Sequence, residues 1–262
     1  MSFFDHLDAL RGHLFRAIVA VLVFAVVAFL FKRVIFDLII LAPKDPGFIT
    51  NSLLCSWAEK FNISRLCINE TPLNLINIKI AGQFITHIVI SLISGFVIAF
   101  PYVVWEIWRF VSPALYKNER KKSRMMLLVT AILFFFGVLL GYFIIVPIAI
   151  NFLNNYLVSE SVSNTINLSS YISTMTSICF ASGIIFELPV LSYLLTRIGL
   201  LTPSFMKKYR KHAIVAILIL SAIITPPDMI TQLLIGIPLF LLYEVSILIS
   251  RLVMKRKAKE ED

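Results

Sequence analysis

Charge is what this sequence has least of. Only 15% of its 262 residues are charged, with 15 Asp and Glu against 24 Lys and Arg. A soluble domain of this length needs far more polar surface over its core, so that class is excluded. The nucleotide and zinc signatures are missing too: there is no Walker-type loop, no H-E-x-x-H and no paired metal-ligand spacing, and nothing points to either chemistry. No internal duplication marks a secondary transporter. No Ser/Lys or Asp/Asp pairing supports an intramembrane enzyme, since Glu187 and Asp228 lie on different elements at different depths. A solute transporter coupled to protons at Glu187 therefore fits less well than a binding protein.

Cysteine is scarce, at three residues. Cys55 and Cys67 share one polar stretch and can form a bridge if it faces an oxidising compartment; two unpaired thiols fit the sequence equally well. Cys179 lies in an apolar run and reads as a small core residue.

What is present is hydrophobic: 59% of residues, with a mean hydropathy of +0.89. Several apolar runs approach the ~20 residues that cross a bilayer. The pattern predicts an all-α, polytopic membrane protein, one transmembrane domain over 1–262. Its six transmembrane helices are expected at about 15–41, 80–107, 125–153, 171–195, 213–224 and 230–250. Before them, Phe3, Leu7, Leu10 and Leu14 recur at steps of four and three, the mark of an amphipathic helix suited to a membrane surface. Residues 3–14 do not read as a cleavable signal, because their start is acidic and no small-residue cleavage site follows. Residues 42–77 read as a long polar loop, 154–169 as a second loop and 251–262 as a basic-acidic tail.

Within the spans, Gly137 and Gly141 have the spacing that lets helices approach closely. Pro147, Pro189 and Pro238 favour bends, so a curved bundle is expected. The run 213–224 is only 12 residues, roughly 18 Å of helix against an apolar layer of about 30 Å. Pro226-Pro227 closes a tight turn after it.

The net charge of +9 does not indicate nucleic acid, because the bases sit in short segments between apolar runs. Sixteen Lys and Arg fall in the loops after spans two and four and in the tail, whereas the loop after span three and the Pro-Pro turn have none. The positive-inside rule therefore puts both termini in the cytoplasm; only Lys32 and Arg33 run against it.

Glu187 is the costliest residue to place. It stands about ten residues, or ~15 Å of helix, from the nearest base, Arg197. A polar contact for a partner helix, a proton-sensitive group, and a neutral acid bonded within the bundle near Pro189 are all open. Glu119, alone among Lys and Arg, reads first as a solvated loop residue; read functionally it would accept a guanidinium. Trp105 and Trp108 fit an interfacial aromatic belt, and Phe110 fits the same packing or the wall of a groove. Asp228 suits the cap of span six, with Gln232 one turn on. The Lys/Arg clusters also suit anionic lipid.

Four stretches carry a family likeness: HLDALR at 6–11, FPYVVWEIWRFVSPALYKNER at 100–120, FELPV at 186–190, and TPPDMITQ with PLFLLYE across 225–244. In order and spacing they resemble the TatC family, the core subunit of the twin-arginine protein translocase, over nearly the whole chain. The resemblance implies a receptor and scaffold for export of folded proteins, in the bacterial inner membrane, with no cofactor. A twin-arginine signal site would draw on Phe110, Leu115, Tyr116, Glu119 and Arg120, with Asp8 and Arg11 from the N-terminal segment. Glu187 would be the intramembrane contact, and Pro226, Pro227, Asp228 and Gln232 the outer motif. TatA- and TatB-like single-span partners, self-association and use of the proton-motive force are implied as well. Three features depart from the family pattern: Ala9 stands where Glu is common, His13 where a second Arg is common, and the pair Trp105-Glu106 where a Tyr-Gln pair is common.

Overall fold

The computed structural model describes residues 3–63, 67–69, 73–111, 120–157, 159, 161, 164–224 and 229–261. It is a polytopic helical membrane protein. Among the described residues, five helical stretches are long and apolar enough to cross a bilayer: Asp8–Leu30, Gly82–Phe110, Met125–Asn155, Leu168–Arg197 and Gln232–Lys257. The backbone clusters into two compact units, residues 1–132 with 154–176, and residues 133–153 with 177–262.

The first unit is built on α1 (Phe3–Leu30) and α3 (Gly82–Val111). They run antiparallel: His13 meets Phe110 at 6.2 Å between ring centroids, and Phe29 stacks on His87 at 4.0 Å. Midway, the backbones approach so closely that a Cβ on Gly95 would lie 2.5 Å from the Ala25 nitrogen. That contact needs glycine on one side and a small residue on the other. The outward faces of both helices stay apolar and exposed, as at Leu22, Val26, Phe84 and Leu92, which suits a lipid solvent.

Two sequence expectations are corrected here. Residues 3–14 do not form a separate surface helix, because α1 continues through them without a break. No proline interrupts 3–30, and Gly12 alone costs only about 1 kcal/mol in a helix. After Leu30 the helix breaks, and a π-helical turn, Val34–Ile40, completes the run. Lys32 and Arg33, the two bases that defy the charge rule, sit at that joint.

The stretch 42–77 is also more than a loop. A 3₁₀ turn, Ala42–Lys44, leads into α2 (Ile49–Phe61). Asn51 is fully buried and donates to the carbonyls of Pro43 (3.2 Å) and Asp45 (2.8 Å), while accepting from Asn69 (3.2 Å). Cys55 and Cys67 are joined in a disulfide. β1 (Leu75–Ile76) pairs in parallel with β2 (Ile166–Asn167), Leu75 opposite Ile166. The Tyr171 hydroxyl donates to the Ile40 carbonyl at 2.9 Å. These bonds hold the two loops at one end of the unit.

The second unit takes the far half of α4 (Arg120–Leu140), a π-helical turn at Gly141–Ile145 and α5 (Val146–Asn155). It adds the end of α6 (Leu168–Ile185), α7 (Leu188–Arg197), α8 (Pro203–Lys208), α9 (Arg210–Ile224) and α10 (Met229–Glu261). The Gly137/Gly141 spacing is used as expected. A Cβ at 137 would fall 2.5 Å from the Ser182 carbonyl oxygen, and one at 141 would fall 3.1 Å from the Cys179 Cα. Pro189 opens α7 after a turn at Phe186–Glu187. By contrast, Pro238 does not interrupt α10, which runs on through the expected tail to Glu261. The expected span 213–224 lies in α9, whose 15 residues reach about 22 Å, still short of the apolar layer.

Candidate functional site

A polar cluster occupies the end of the α1–α3 hairpin where α3 leads toward residue 112. At its centre is Glu106, whose side chain is 1% exposed. Glu106 comes from α3, one turn after Tyr102 and one before Arg109, so all three share a face. His13 and Arg16 are likewise one turn apart on α1. The Arg16 guanidinium donates to Glu106 Oε2 at 3.1 Å, and the Tyr102 hydroxyl donates to Oε1 at 3.2 Å. His13 Nδ1 lies 2.5 Å from Oε2 and 2.9 Å from Arg16 Nη2. An ionised carboxylate only accepts, so the Nδ1 proton points at Glu106 and two donors converge on one oxygen. Arg109 adds a looser ion pair at 3.7 Å and covers the Trp105 ring at 5.0 Å.

A buried carboxylate is tolerable only when its lone pairs are filled, and this one is filled by three donors. It therefore acts as a pin that fixes the start of α1 to the end of α3. The same pin places the His13 ring beside Phe110.

Of the signal-site residues expected from sequence, Phe110 is half-buried in this cluster, and Asp8 and Arg11 are exposed on the first turns of α1. Leu115, Tyr116 and Glu119 lie outside the described residues, as does the Arg120 side chain; so do Pro226, Pro227 and Asp228. Gln232 is in α10 and donates to the Leu218 carbonyl at 3.0 Å. Trp105 is exposed as a belt residue should be, but Trp108 is buried. Its position three residues on turns it inward, a distinction that composition does not make.

Glu187 stands at the N-cap position of α7, at the turn after α6, and its side chain makes no capping bond. Its Oε1 is buried and has no hydrogen-bond partner among the described residues. Glu244 on α10, which drew no reading from sequence, takes a 2.7 Å bond from Arg210 at the head of α9. Nearby, the Tyr243 hydroxyl donates to the Met206 carbonyl, and Thr196 donates to Ser250 at 2.8 Å, both side chains fully buried.

The family model for the Sec-independent protein translocase protein (TatC) matches residues 5–238. The chain belongs to the TatC family. A TatC protein of Blattabacterium sp. subsp. Periplaneta americana is 38% identical over 98% of this chain and 97% of its own length. That of Aquifex aeolicus is 34% identical over 98% of each. A crystal structure of the twin arginine translocase receptor TatC superposes with a TM-score of 0.74 at 34% identity, covering 95% of this chain and 99% of that one. TatC proteins are translocase components and not enzymes, and this chain is a multi-pass helical member of that family. The Glu106 cluster was missed as a site in the sequence. Its one trace there is that His13 and Glu106, which belong to two of the three departures from the TatC pattern, turn out to touch.

Proposed function

We propose that this chain is the receptor and scaffold subunit of the twin-arginine translocase of a bacterial inner membrane, with six spans and both termini in the cytoplasm. It binds the twin-arginine signal of folded cargo and, with TatA- and TatB-like single-span partners and further copies of itself, exports that cargo on the proton-motive force. Glu119 pairs with a signal arginine as a carboxylate–guanidinium fork. Phe110, Leu115 and Tyr116 wall the site, and Asp8, Arg11 and Arg120 complete its charge pattern. Glu187 meets a partner helix, and Pro226, Pro227, Asp228 and Gln232 shape the outer turn.

The observation that carries this reading is the Glu106 pin. It holds His13 and Arg16 of α1 against the end of α3, and Asp8 lies five residues, ~8 Å of helix, before His13. Two stretches some 90 residues apart can then serve one ligand. The Cys55–Cys67 disulfide agrees with an oxidising compartment for residues 42–77, and hence with the cytoplasmic termini.

The test is binding of a signal peptide with consecutive arginines, against the same peptide with paired lysines. The wild-type chain should prefer arginine, and Glu119→Ala should lose that preference. Equal binding of both peptides by the wild type would overturn the receptor reading.

A further inference from the structure

The helix inside the first loop carries a feature that the receptor reading does not use. Along α2, Ile49, Leu53, Trp57 and Phe61 are all exposed, between 48% and 67%. At steps of four they fall within an arc of ~120° on the helix surface. Ser52 and Glu59 are exposed on a separate face, roughly 60–80° beyond Ile49, with Ser56 only ~20° from the stripe, and Asn51 and Ala58 face inward and are buried. The helix thus has three faces: one packed on its own loop, one polar, one apolar and open. In water, a row of four large apolar side chains on a 13-residue helix is costly to leave uncovered.

Position says what covers it. The π-helical turn that ends the first membrane run closes at Ile40, and the Asn51 side chain bonds carbonyls only three to five residues later. The start of α2 is therefore tethered close behind the end of the first membrane run, where headgroups meet acyl chains. The disulfide fixes its middle, so it cannot swing away. The span end is itself apolar and open at Leu38, and the chain re-enters the membrane past Ile78 and Ile80, both strongly exposed. Trp is the side chain enriched at that depth, and Lys60, which projects within the arc between Ile49 and Leu53, has a stem long enough to carry its ammonium back to phosphate.

We propose that α2 lies in the interfacial layer of the bilayer, with Ile49, Leu53, Trp57 and Phe61 seated among phospholipid acyl chains and Ser52 and Glu59 facing water. It is a monotopic anchor that fixes the height of the loop cap against the membrane. The contact with lipid stands independently of the receptor reading; the proposed topology adds only that the leaflet is the outer one.

The experiment uses the full chain in vesicles of phosphatidylethanolamine and phosphatidylglycerol. Benzoylphenylalanine is placed singly at positions 52, 53, 57 and 59, and adducts are read by mass after illumination. Phospholipid adducts at 53 and 57, with only background at 52 and 59, are expected. Equal labelling at all four positions, no adduct at any, or adducts to a second copy at 53 and 57 would each overturn the proposal. Thiol counting for an intact Cys55–Cys67 bridge selects the folded variants for this comparison. Arginine-peptide binding, measured on the same samples, keeps a failure of the lipid contact distinct from a failure of the receptor reading.

Discussion

Glu106 and Glu187 are both acids in membrane-spanning helices, and they are opposite in kind. Glu106 is enclosed by Arg16, His13 and Tyr102, all aimed at its two oxygens. Glu187 stands at a helix break with one buried oxygen that accepts no hydrogen bond from the described residues. An acid with its acceptors filled is part of the scaffold. Glu106 is buried and Glu187 only partly so, and only for Glu106 is the cost of burial offset by bonds from the described residues.

The comparison is most directly broken by removing the first acid. Glu106→Ala takes the acceptor from His13 and Tyr102, while the half-exposed Arg16 can turn to solvent, and should destabilise the α1–α3 hairpin by about 1–3 kcal/mol, read as a lowered unfolding midpoint in detergent. Glu106→Gln, which still accepts hydrogen bonds, should recover part of that loss. A Glu106→Ala protein as stable as wild type would mean that the cluster is no pin.

Glu187→Gln should act the other way. Stability should stay within about 0.5 kcal/mol of wild type, because no internal bond is lost. Co-purification of a single-span partner should fall instead. If Glu187→Gln destabilised the chain as much as Glu106→Ala, the contrast would fail.

The smallest effect sharpens the boundary of the pin. Arg109 is 3.7 Å from Glu106 with its guanidinium half exposed, so Arg109→Ala should cost at most about 1 kcal/mol in the same measurement. A loss matching that of Arg16→Ala would place Arg109 inside the cluster.

Much of the helical layout was legible in the sequence because lipid imposes a simple requirement: long apolar runs, bounded by polar segments. The Gly137/Gly141 contact and the break at Pro189 were legible for the same reason, since each is a local property of one stretch. The Glu106 pin was not, because it joins residues 90 or more apart, and Glu106 alone resembles any acid near a basic loop. Helix α2 was hidden by composition: its Asn, Ser and Thr suggest a loop, while the apolar recurrence at 49, 53, 57 and 61 spans only 13 residues. The short β1–β2 ladder, two residues from each of two distant loops, leaves no periodicity to find. Of the candidate signal site, the flanks could be compared with the structure, and residues 112–119 lie outside the described part.

The 33 residues of α10 make a rod of ~50 Å. Inclined by 40°, the upper end of the usual range, such a rod still rises ~38 Å along the bilayer normal, more than the ~30 Å of hydrocarbon. Seated at the charged end, that overhang of ~8 Å carries Lys255, Arg256 and Lys257 clear of the fatty layer as a charged post. Whatever docks there meets a stiff handle, ordered before contact, and gives up little chain freedom to grip it.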